Sequence, residues 1–163
     1  MSTQKITTML WFDGQAEEAA KFYVSVFKNA KMGKVARYGD AGPGPKGGVM
    51  VASFEVEGRE FTALNAGPQF KFNESVSFVV HCKTQEEVDY YWDKLLAGGG
   101  QESMCGWLKD KFGLSWQITP DVLLELIGDP DPAISQSVMK AMMQMRKIDI
   151  EAVRQAKRAA KAK

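Results

Sequence analysis

The sequence predicts an α+β fold in which two tandem modules, each a strand, a helix and three further strands, precede a group of C-terminal helices. Three observations support this. The order of elements read from hydrophobic periodicity occurs twice, over about residues 5–66 and 75–119. The predicted helices align, AEEAAKFY from Ala16 with QEEVDYYW from Gln85, so that a Glu-Glu pair and two aromatic residues match. Strand-like alternation ends near Pro120, and the later pattern is helical.

The first module is defined by one amphipathic helix and a hairpin. Its helix, residues 15–27, has apolar side chains at three-to-four spacing. Two alternating runs on either side of Glu57-Gly58 indicate a hairpin. A Gly- and Pro-rich run, DAGPGPKGG from Asp40, predicts a flexible loop. The predicted strands are 6–12, 34–38, 49–56 and 59–65, and residues 66–73 form a linker.

The second module repeats this order. Thr84 and Glu87 have the spacing of a capping box at the start of the helix 84–96, and three glycines end that helix. Asp110 to Gly113 reads as the turn before the last strand. The predicted strands are 75–82, 101–105, 106–109 and 114–119. Because one module is too small to close a core alone, the two are expected to form one domain over residues 1–120.

Residues 121–163 are predicted to be a helical extension. Helices are expected at 121–127, at 133–145 and from about 150 to 160. Met139, Met142, Met143 and Met145 give the second of these a soft apolar surface, expected to pack within the chain or between subunits. Residues 140–163 carry eight basic and two acidic residues. No aromatic residue lies among those charges to stack on bases, so a solvated helix end is favoured over nucleic-acid binding.

Composition indicates a cytoplasmic protein that does not enter membranes. The chain is 45% hydrophobic and 25% charged, and no window approaches the roughly 18 apolar residues of a membrane span. The first residues lack the pattern of a signal peptide. Two cysteines make no disulfide framework, and a single histidine leaves little material for a zinc site.

Several stretches resemble one protein family. They are LWFDG from Leu10, AAKFY from Ala19, FTALNAGP from Phe61, FKFNE from Phe70, SFVV from Ser77, MRKIDI from Met145 and CGWLKDKFGLSWQITP from Cys105. They resemble the PhnB-like, or demethylubiquinone methyltransferase-like, branch of the vicinal oxygen chelate superfamily, which includes glyoxalase I, bleomycin-resistance proteins and extradiol dioxygenases. The resemblance covers nearly the whole chain and implies a glyoxalase-like mixed-sheet cup and a homodimer.

The resemblance also implies where a metal centre would lie. Metal-dependent members place His, Glu or Gln ligands on the first and last strands of each module, and Gln117 stands where an acidic ligand follows Asp-x-x-Gly. The other matching positions are Ile6 or Thr8, Ser75 or Ser77, and Thr62, Leu64 or Asn65. None of these is His, Asp or Glu, and neutral donors hold a divalent ion weakly. No metal and no cofactor are therefore predicted, although a one-residue slip in the alignment would exchange the faces of a strand.

The methyltransferase label has little support in the sequence itself. A common S-adenosylmethionine site needs a glycine-rich turn within a βαβ unit, and the prolines of the 40–48 loop remove N–H donors. Cys105 could be a nucleophile, but the sequence favours the interpretation that it is a small buried apolar residue.

The expected function is binding of a small planar or apolar molecule in the cup, for sequestration or sensing. The alternative is an enzyme of the lyase, dioxygenase or methyltransferase-labelled type that uses the same cup. Sequence alone does not decide which candidates face the cup and which pack on helices. Those candidates are Trp11, Phe54, Phe61, Asn65, Phe78, Trp107, Trp116 and Gln117.

Overall fold

A computed structural model describes residues 4–162. It is an α+β structure with two four-stranded mixed sheets and five helices in that range, so the predicted fold class is confirmed. The chain divides into two compact units, the first ending at Phe72 and the second beginning at Asn73. The predicted boundary at residue 120, between a two-module domain and an extension, stays a prediction.

The first unit is a sheet with one helix against it. Its strands lie in the order β1-β4-β3-β2, with β1 parallel to β4 and the other pairs antiparallel. The predicted hairpin is confirmed at both ends, and its turn residues Glu57 and Gly58 both have positive φ, as a type I′ turn requires. The elements are β1 (Thr8–Phe12), α1 (Ala16–Val26), β2 (Ala30–Arg37), β3 (Val49–Val56) and β4 (Arg59–Asn65).

Strand β2 begins at Ala30, four residues before the predicted start at Lys34. The register between β2 and β3 shifts between Met32 and Val35, which is a bulge that interrupts the alternation used for the prediction. A Cβ on Gly33 would lie 3.1 Å from the Ser53 side chain, so glycine permits this close approach of the two strands.

The second unit repeats the sheet and adds the C-terminal helices. Its strand order is β5-β8-β7-β6, with β5 parallel to β8. The predicted cap is present, because Thr84 Oγ1 accepts from the Glu87 amide and the Glu87 carboxylate accepts from the Lys83 amide. The sheet elements are β5 (Ser77–Cys82), α2 (Gln85–Leu96), β6 (Gln101–Glu102), β7 (Trp107–Lys109) and β8 (Ser115–Pro120).

The strands predicted at 101–105 and 106–109 are shorter than expected. Cys105 and Gly106 have φ values of 61° and 82°, which is a left-handed turn and not a strand. Their amides donate to the carbonyls of Met145 and Arg146, both at 2.7 Å. The turn is therefore held by the segment that follows α4.

The C-terminal helices are α3 (Asp121–Ile127), α4 (Pro132–Met142) and α5 (Ile150–Lys161). Gln85 at the start of α2 joins them to the sheet, donating to the Ile148 carbonyl at 3.1 Å and accepting from the Ile150 amide at 2.8 Å. In the described part of the chain, no helix combines the length and apolar character needed to cross a membrane. A hydrophobic cluster in this helical group is formed by Leu123, Leu126, Ile134, Val138, Ile148 and Val153.

Candidate functional site

In each unit the first helix packs against the sheet, α1 chiefly against β3 and α2 chiefly against β8 and β7. In the second unit α2 identifies the helix face, because Trp92 Nε1 donates to Glu102 Oε1 at 3.1 Å. Glu102 is opposite Leu108 in the register, and Leu108 is opposite Trp116. Side chains alternate along a strand, so the neighbours of these residues point to the other face. We call that surface, formed by Ser77, Val79, Gln101, Trp107, Lys109, Ser115 and Gln117, the open face of the second unit.

The first unit is divided in the same way. The ring of Tyr23 on α1 stacks on Phe54 with 5.8 Å between centroids, and Phe54 stacks on Phe61 at 5.0 Å. Those rings mark the helix face. The register then places Met9, Trp11, Thr62 and Leu64 on the opposite, open face of the first unit.

Three of the eight predicted site residues lie on open faces. Trp11 is in the first unit, where its ring meets Phe70 edge-on at 4.8 Å and its Nε1 donates to the Gly67 carbonyl. Trp107 and Gln117 are directly opposite each other in the second unit. The structure places the other five on the helix faces, and these are Phe54, Phe61, Asn65, Phe78 and Trp116.

Asn65 has a structural role on the helix face. Its Oδ1 accepts from the Ala16 amide at 2.9 Å, and its Nδ2 donates to the Val49 carbonyl at 3.0 Å. Gln15, at the N-cap position of α1, makes no side-chain cap of its own. The last residue of β4 therefore caps the helix from the sheet.

Trp116 is held by a buried carboxylate. Asp110 is only 3% exposed, and its Oδ2 accepts from Trp116 Nε1 at 2.9 Å. Its Oδ1 accepts from the amides of Phe112 and Leu114 at 2.9 and 3.1 Å. Asp110 thus closes the turn between β7 and β8 and orients the indole toward the helix side.

The donors on the open face do not fit a first-row divalent metal centre. Gln117 Nε2 donates to Ser77 Oγ at 2.9 Å, so an amide and a hydroxyl stand on the two strands where the resemblance places ligands. The neighbouring open-face position on β5 is Val79. In residues 4–162 no group of three or more His, Cys, Asp or Glu is arranged to hold an ion. Neutral amide and hydroxyl oxygens leave such a charge uncompensated.

The histidine lies at the end of the same strand. His81 is exposed, and its Nδ1 is 3.4 Å from Asp121. Aligning the two modules by their helices pairs His81 with Phe12, but the register places His81 on the open face and Phe12 on the helix face. Three residues separate β1 from α1 whereas two separate β5 from α2, so the strands match with a one-residue shift.

A cavity of about 150 Å³ lies on the open face of the second unit. Its lining includes Trp107, Lys109 and Ser115, and the Lys109 ammonium pairs with the carboxylate of Glu74. That ion pair lowers the pKa of Glu74 below its usual value, chiefly through the hydrogen bond from Lys109. Ser115 is 1% exposed, and its Oγ has no hydrogen-bond partner among the described residues.

The first unit has a larger cavity, of about 660 Å³, beside the 40–48 loop. Acidic side chains line it, including Asp13 and Glu17, and the Lys21 ammonium lowers the pKa of Glu17. The loop's amides bond within the hairpin, Gly47 to the Tyr38 carbonyl and Gly48 to the Pro45 carbonyl. These amides are therefore not presented to an anionic ligand.

The two cysteines differ in environment. Cys82 is buried, and burial raises the pKa of its thiol to about 12. Cys105 is partly exposed, which differs from the buried apolar environment favoured by the sequence, and its Sγ lies 4.0 Å from the Met143 sulfur. Neither thiol is paired with a histidine base in the described hydrogen bonds and ion pairs.

Sequence reasoning placed Ser77 among the possible ligand positions of a metal centre but missed Glu74, Lys109 and Ser115 as neighbours of the candidate site. Ser115 was detectable, because it is two residues before Gln117 on the same strand and so shares its face. Glu74 gave no such signal, because it precedes β5 and reaches the site only through its ion pair with Lys109.

A family model described as 3-demethylubiquinone-9 3-methyltransferase matches residues 4–119. Among solved structures, the PhnB protein from Bacillus cereus is 40% identical over 72% of this chain and 99% of its own, with a TM-score of 0.65. Protein PA1353 from Pseudomonas aeruginosa is 22% identical over 72% of this chain and 98% of its own, with a TM-score of 0.59. The fosfomycin resistance protein FosX from Listeria monocytogenes is 16% identical over 77% of this chain and 98% of its own, with a TM-score of 0.53. The comparison with curated proteins found no match.

Proposed function

The chain belongs to the 3-demethylubiquinone-9 3-methyltransferase family of PhnB-like proteins, within the vicinal oxygen chelate superfamily, and from this premise we propose that it binds a small planar molecule on an open sheet face without a divalent metal. One observation carries the proposal. On the open face of the second unit, an indole, an amide and a hydroxyl lie on adjacent strands, with Trp107 opposite Gln117 and Gln117 bonded to Ser77. Aromatic area beside a few oriented polar groups is the usual composition of a small-molecule site.

Binding is tested with an uncharged planar fluorophore, N-phenyl-1-naphthylamine, titrated into the full chain purified without an affinity tag. We expect a saturable increase in fluorescence, which reports binding. Trp107→Ala is expected to weaken the affinity for the fluorophore about fivefold or more, because the aromatic surface on which it stacks is lost. The matched control is Val35→Ala, which removes an exposed apolar side chain from β2 of the first unit and leaves the second sheet intact. Equal effects of the two substitutions, or no saturable binding, would refute the proposal.

The metal-free part is tested on the same preparation. Elemental analysis is expected to give much less than one equivalent of zinc, nickel, iron or manganese per chain. Added metal is expected to leave fluorophore affinity and thermal stability unchanged, because Gln117 and Ser77 are neutral donors. One equivalent of retained metal would overturn this part and favour an enzyme that uses the same face.

Methyl transfer, which the family description names, is examined in parallel by titrating S-adenosylmethionine. Both sheets are mixed, and the Gly47 and Gly48 amides of the glycine-rich loop already donate to the Tyr38 and Pro45 carbonyls. This loop therefore does not resemble the glycine-rich turn of a βαβ nucleotide-binding unit. We expect no saturable heat of binding. A dissociation constant for S-adenosylmethionine in the micromolar range would favour a methyltransferase over the proposed binding protein.

We also propose that the protein is a homodimer. Leu124, Met139 and Met143 are exposed apolar side chains on or next to the C-terminal helices, while Met142 and Met145 pack inward. Light scattering after size-exclusion chromatography is expected to give twice the chain mass. A monomer at all accessible concentrations would refute it.

A further inference from the structure

Among the buried polar side-chain atoms of the described residues, Ser115 Oγ is left without a hydrogen bond. Burying a polar group without a partner costs free energy, so native structures rarely retain one without a reason. Ser115 lines the cavity on the open face of the second unit. A ligand atom entering that cavity is the natural partner for this hydroxyl.

Lys109 brings a positive charge to the same place. It is directly opposite Ser115 in the register of β7 and β8, and it also lines the cavity. Its ammonium is paired with Glu74, whose side chain is 61% exposed and lies before β5, outside the sheet. An exposed ion pair contributes little free energy, so an incoming anion can replace the Glu74 carboxylate at low cost.

The other acidic residue in the lining does not compete for Lys109. The Glu102 side chain points to the helix face, where it accepts from Trp92 Nε1 at 3.1 Å and lies 3.4 Å from Arg146 Nη1. Once Glu74 is displaced, the ammonium of Lys109 is the charge that a ligand meets. The cavity then favours an anion over a cation.

The size and walls of the cavity limit the rest of the ligand. A cavity of about 150 Å³ accommodates a single six-membered aromatic ring. Trp107 is half-buried in the lining, and its indole provides the apolar wall on which such a ring can pack.

We propose that this cavity is a subsite for a monocyclic aromatic carboxylate of the benzoate type. The ring packs against Trp107, and the carboxylate accepts hydrogen bonds from Lys109 Nζ and Ser115 Oγ in place of Glu74. The inference deepens the proposed function, on which it rests, by naming the ligand class for the same open face.

The test is calorimetric titration of the full chain with benzoate and two analogues. Benzyl alcohol keeps the ring and removes the charge, whereas cyclohexanecarboxylate keeps the charge and removes the aromatic ring. We expect benzoate to bind saturably and each analogue to bind at least fivefold more weakly. Equal affinity of all three, or no benzoate binding, overturns the inference, and binding of the uncharged fluorophore then shows whether the proposed function survives.

Three substitutions assign the contacts. Ser115→Ala and Lys109→Gln are each expected to weaken benzoate binding five- to tenfold, and the Lys109 variant to lose most of the salt dependence. Glu74→Gln is expected to tighten binding two- to fivefold, because it removes the competing carboxylate. The matched control is Lys111→Gln, which removes a cation from the adjacent turn outside the cavity and is expected to leave affinity unchanged. A Glu74→Gln variant that binds more weakly, or a Lys111 variant as weak as the Lys109 variant, overturns the assignment.

Discussion

Replacing Asp110 is expected to damage the second unit more than any change on its open face. The carboxylate is buried and accepts three hydrogen bonds, from the amides of Phe112 and Leu114 and from Trp116 Nε1. Asp110→Ala leaves three donors without this acceptor. Asp110→Asn is more selective, because its one amide oxygen can still serve the two backbone amides while its NH₂ group faces the indole N–H as a second donor.

The magnitudes follow from the number of bonds lost. Hydrogen bonds to charged groups contribute about 1.5–3 kcal/mol each, and part of the loss is recovered by relaxation and water. We therefore expect Asp110→Ala to cost about 3–5 kcal/mol of unfolding free energy and Asp110→Asn about 2 kcal/mol. Trp116→Phe removes the indole donor, so Asp110→Asn should cost about 1–2 kcal/mol less in that background than in the wild type.

Urea unfolding followed by far-ultraviolet circular dichroism measures these values, with the slope m unchanged if only stability is altered. Lys111→Gln, in the same turn, serves as the control and is expected to stay within about 0.5 kcal/mol of the wild type. Additive effects of Asp110→Asn and Trp116→Phe would refute the assigned hydrogen bond. A stability of Asp110→Asn equal to that of the wild type would refute the role of the buried carboxylate.

Other substitutions test the remaining contacts. Asn65→Ala should cost about 1–2 kcal/mol in urea unfolding because it uncaps α1. Asn65→Asp keeps the acceptor for the Ala16 amide but sets a carboxylate oxygen against the Val49 carbonyl, so it should recover only part of that loss. The ion pair of Asp89 with Lys147, 2.8 Å long, lowers the pKa of Asp89 and raises that of Lys147. The wild type should therefore exceed Asp89→Asn in stability by at most about 1 kcal/mol near pH 7. That advantage should vanish as pH falls through the lowered pKa of Asp89 and as it rises through the raised pKa of Lys147. With a pKa of about 12, roughly one ten-thousandth of the Cys82 thiol is ionised at pH 8. A thiol reagent should therefore react rapidly with Cys105 alone in the folded protein and with both cysteines in urea. Rapid reaction of both thiols in the folded protein would contradict the burial of Cys82.

The sequence was sufficient for the order of elements because each element has its own local signal. The hairpin at 49–65 combines strict alternation with a Glu-Gly turn, and α2 has an N-cap pair that the structure reproduces. Errors occurred where tertiary contacts override alternation. The bulge near Gly33 hides the start of β2, and the left-handed Cys105-Gly106 turn is set by carbonyls some forty residues later in the chain.

The open-face residues were harder to predict, because the face to which a side chain points depends on whether its position along the strand is odd or even. Any of the aromatic candidates is a residue type common in binding sites. Only the register of the strands shows that Phe78 points to the helix face and Trp107 to the open face. The helices suggested one alignment of the modules, and the different lengths of the strand-to-helix connections shift the strands by one residue. A shift of one is enough to exchange every facing residue.

Around the turn between β7 and β8, alternate residues point to opposite faces of the sheet, so the residues expected to stabilise the fold differ from those expected to bind a ligand. Asp110 and Trp116 point to the helix side, where both are buried and hydrogen-bonded to each other. A substitution of either residue therefore costs folding free energy. Lys109 and Ser115 are each one residue away from them and point to the open face. The ammonium of Lys109 is paired with the exposed Glu74, and the Ser115 hydroxyl has no hydrogen-bond partner within residues 4–162. Substitutions at the first pair should therefore change the urea midpoint, and substitutions at the second pair should change ligand affinity with little effect on folding. A carboxylate at position 117 would join the two roles, because an unpaired charge on the open face would also destabilise the free protein. Gln117, which donates to Ser77, brings no charge to this position, so substitutions nearby can be tested for binding without that effect.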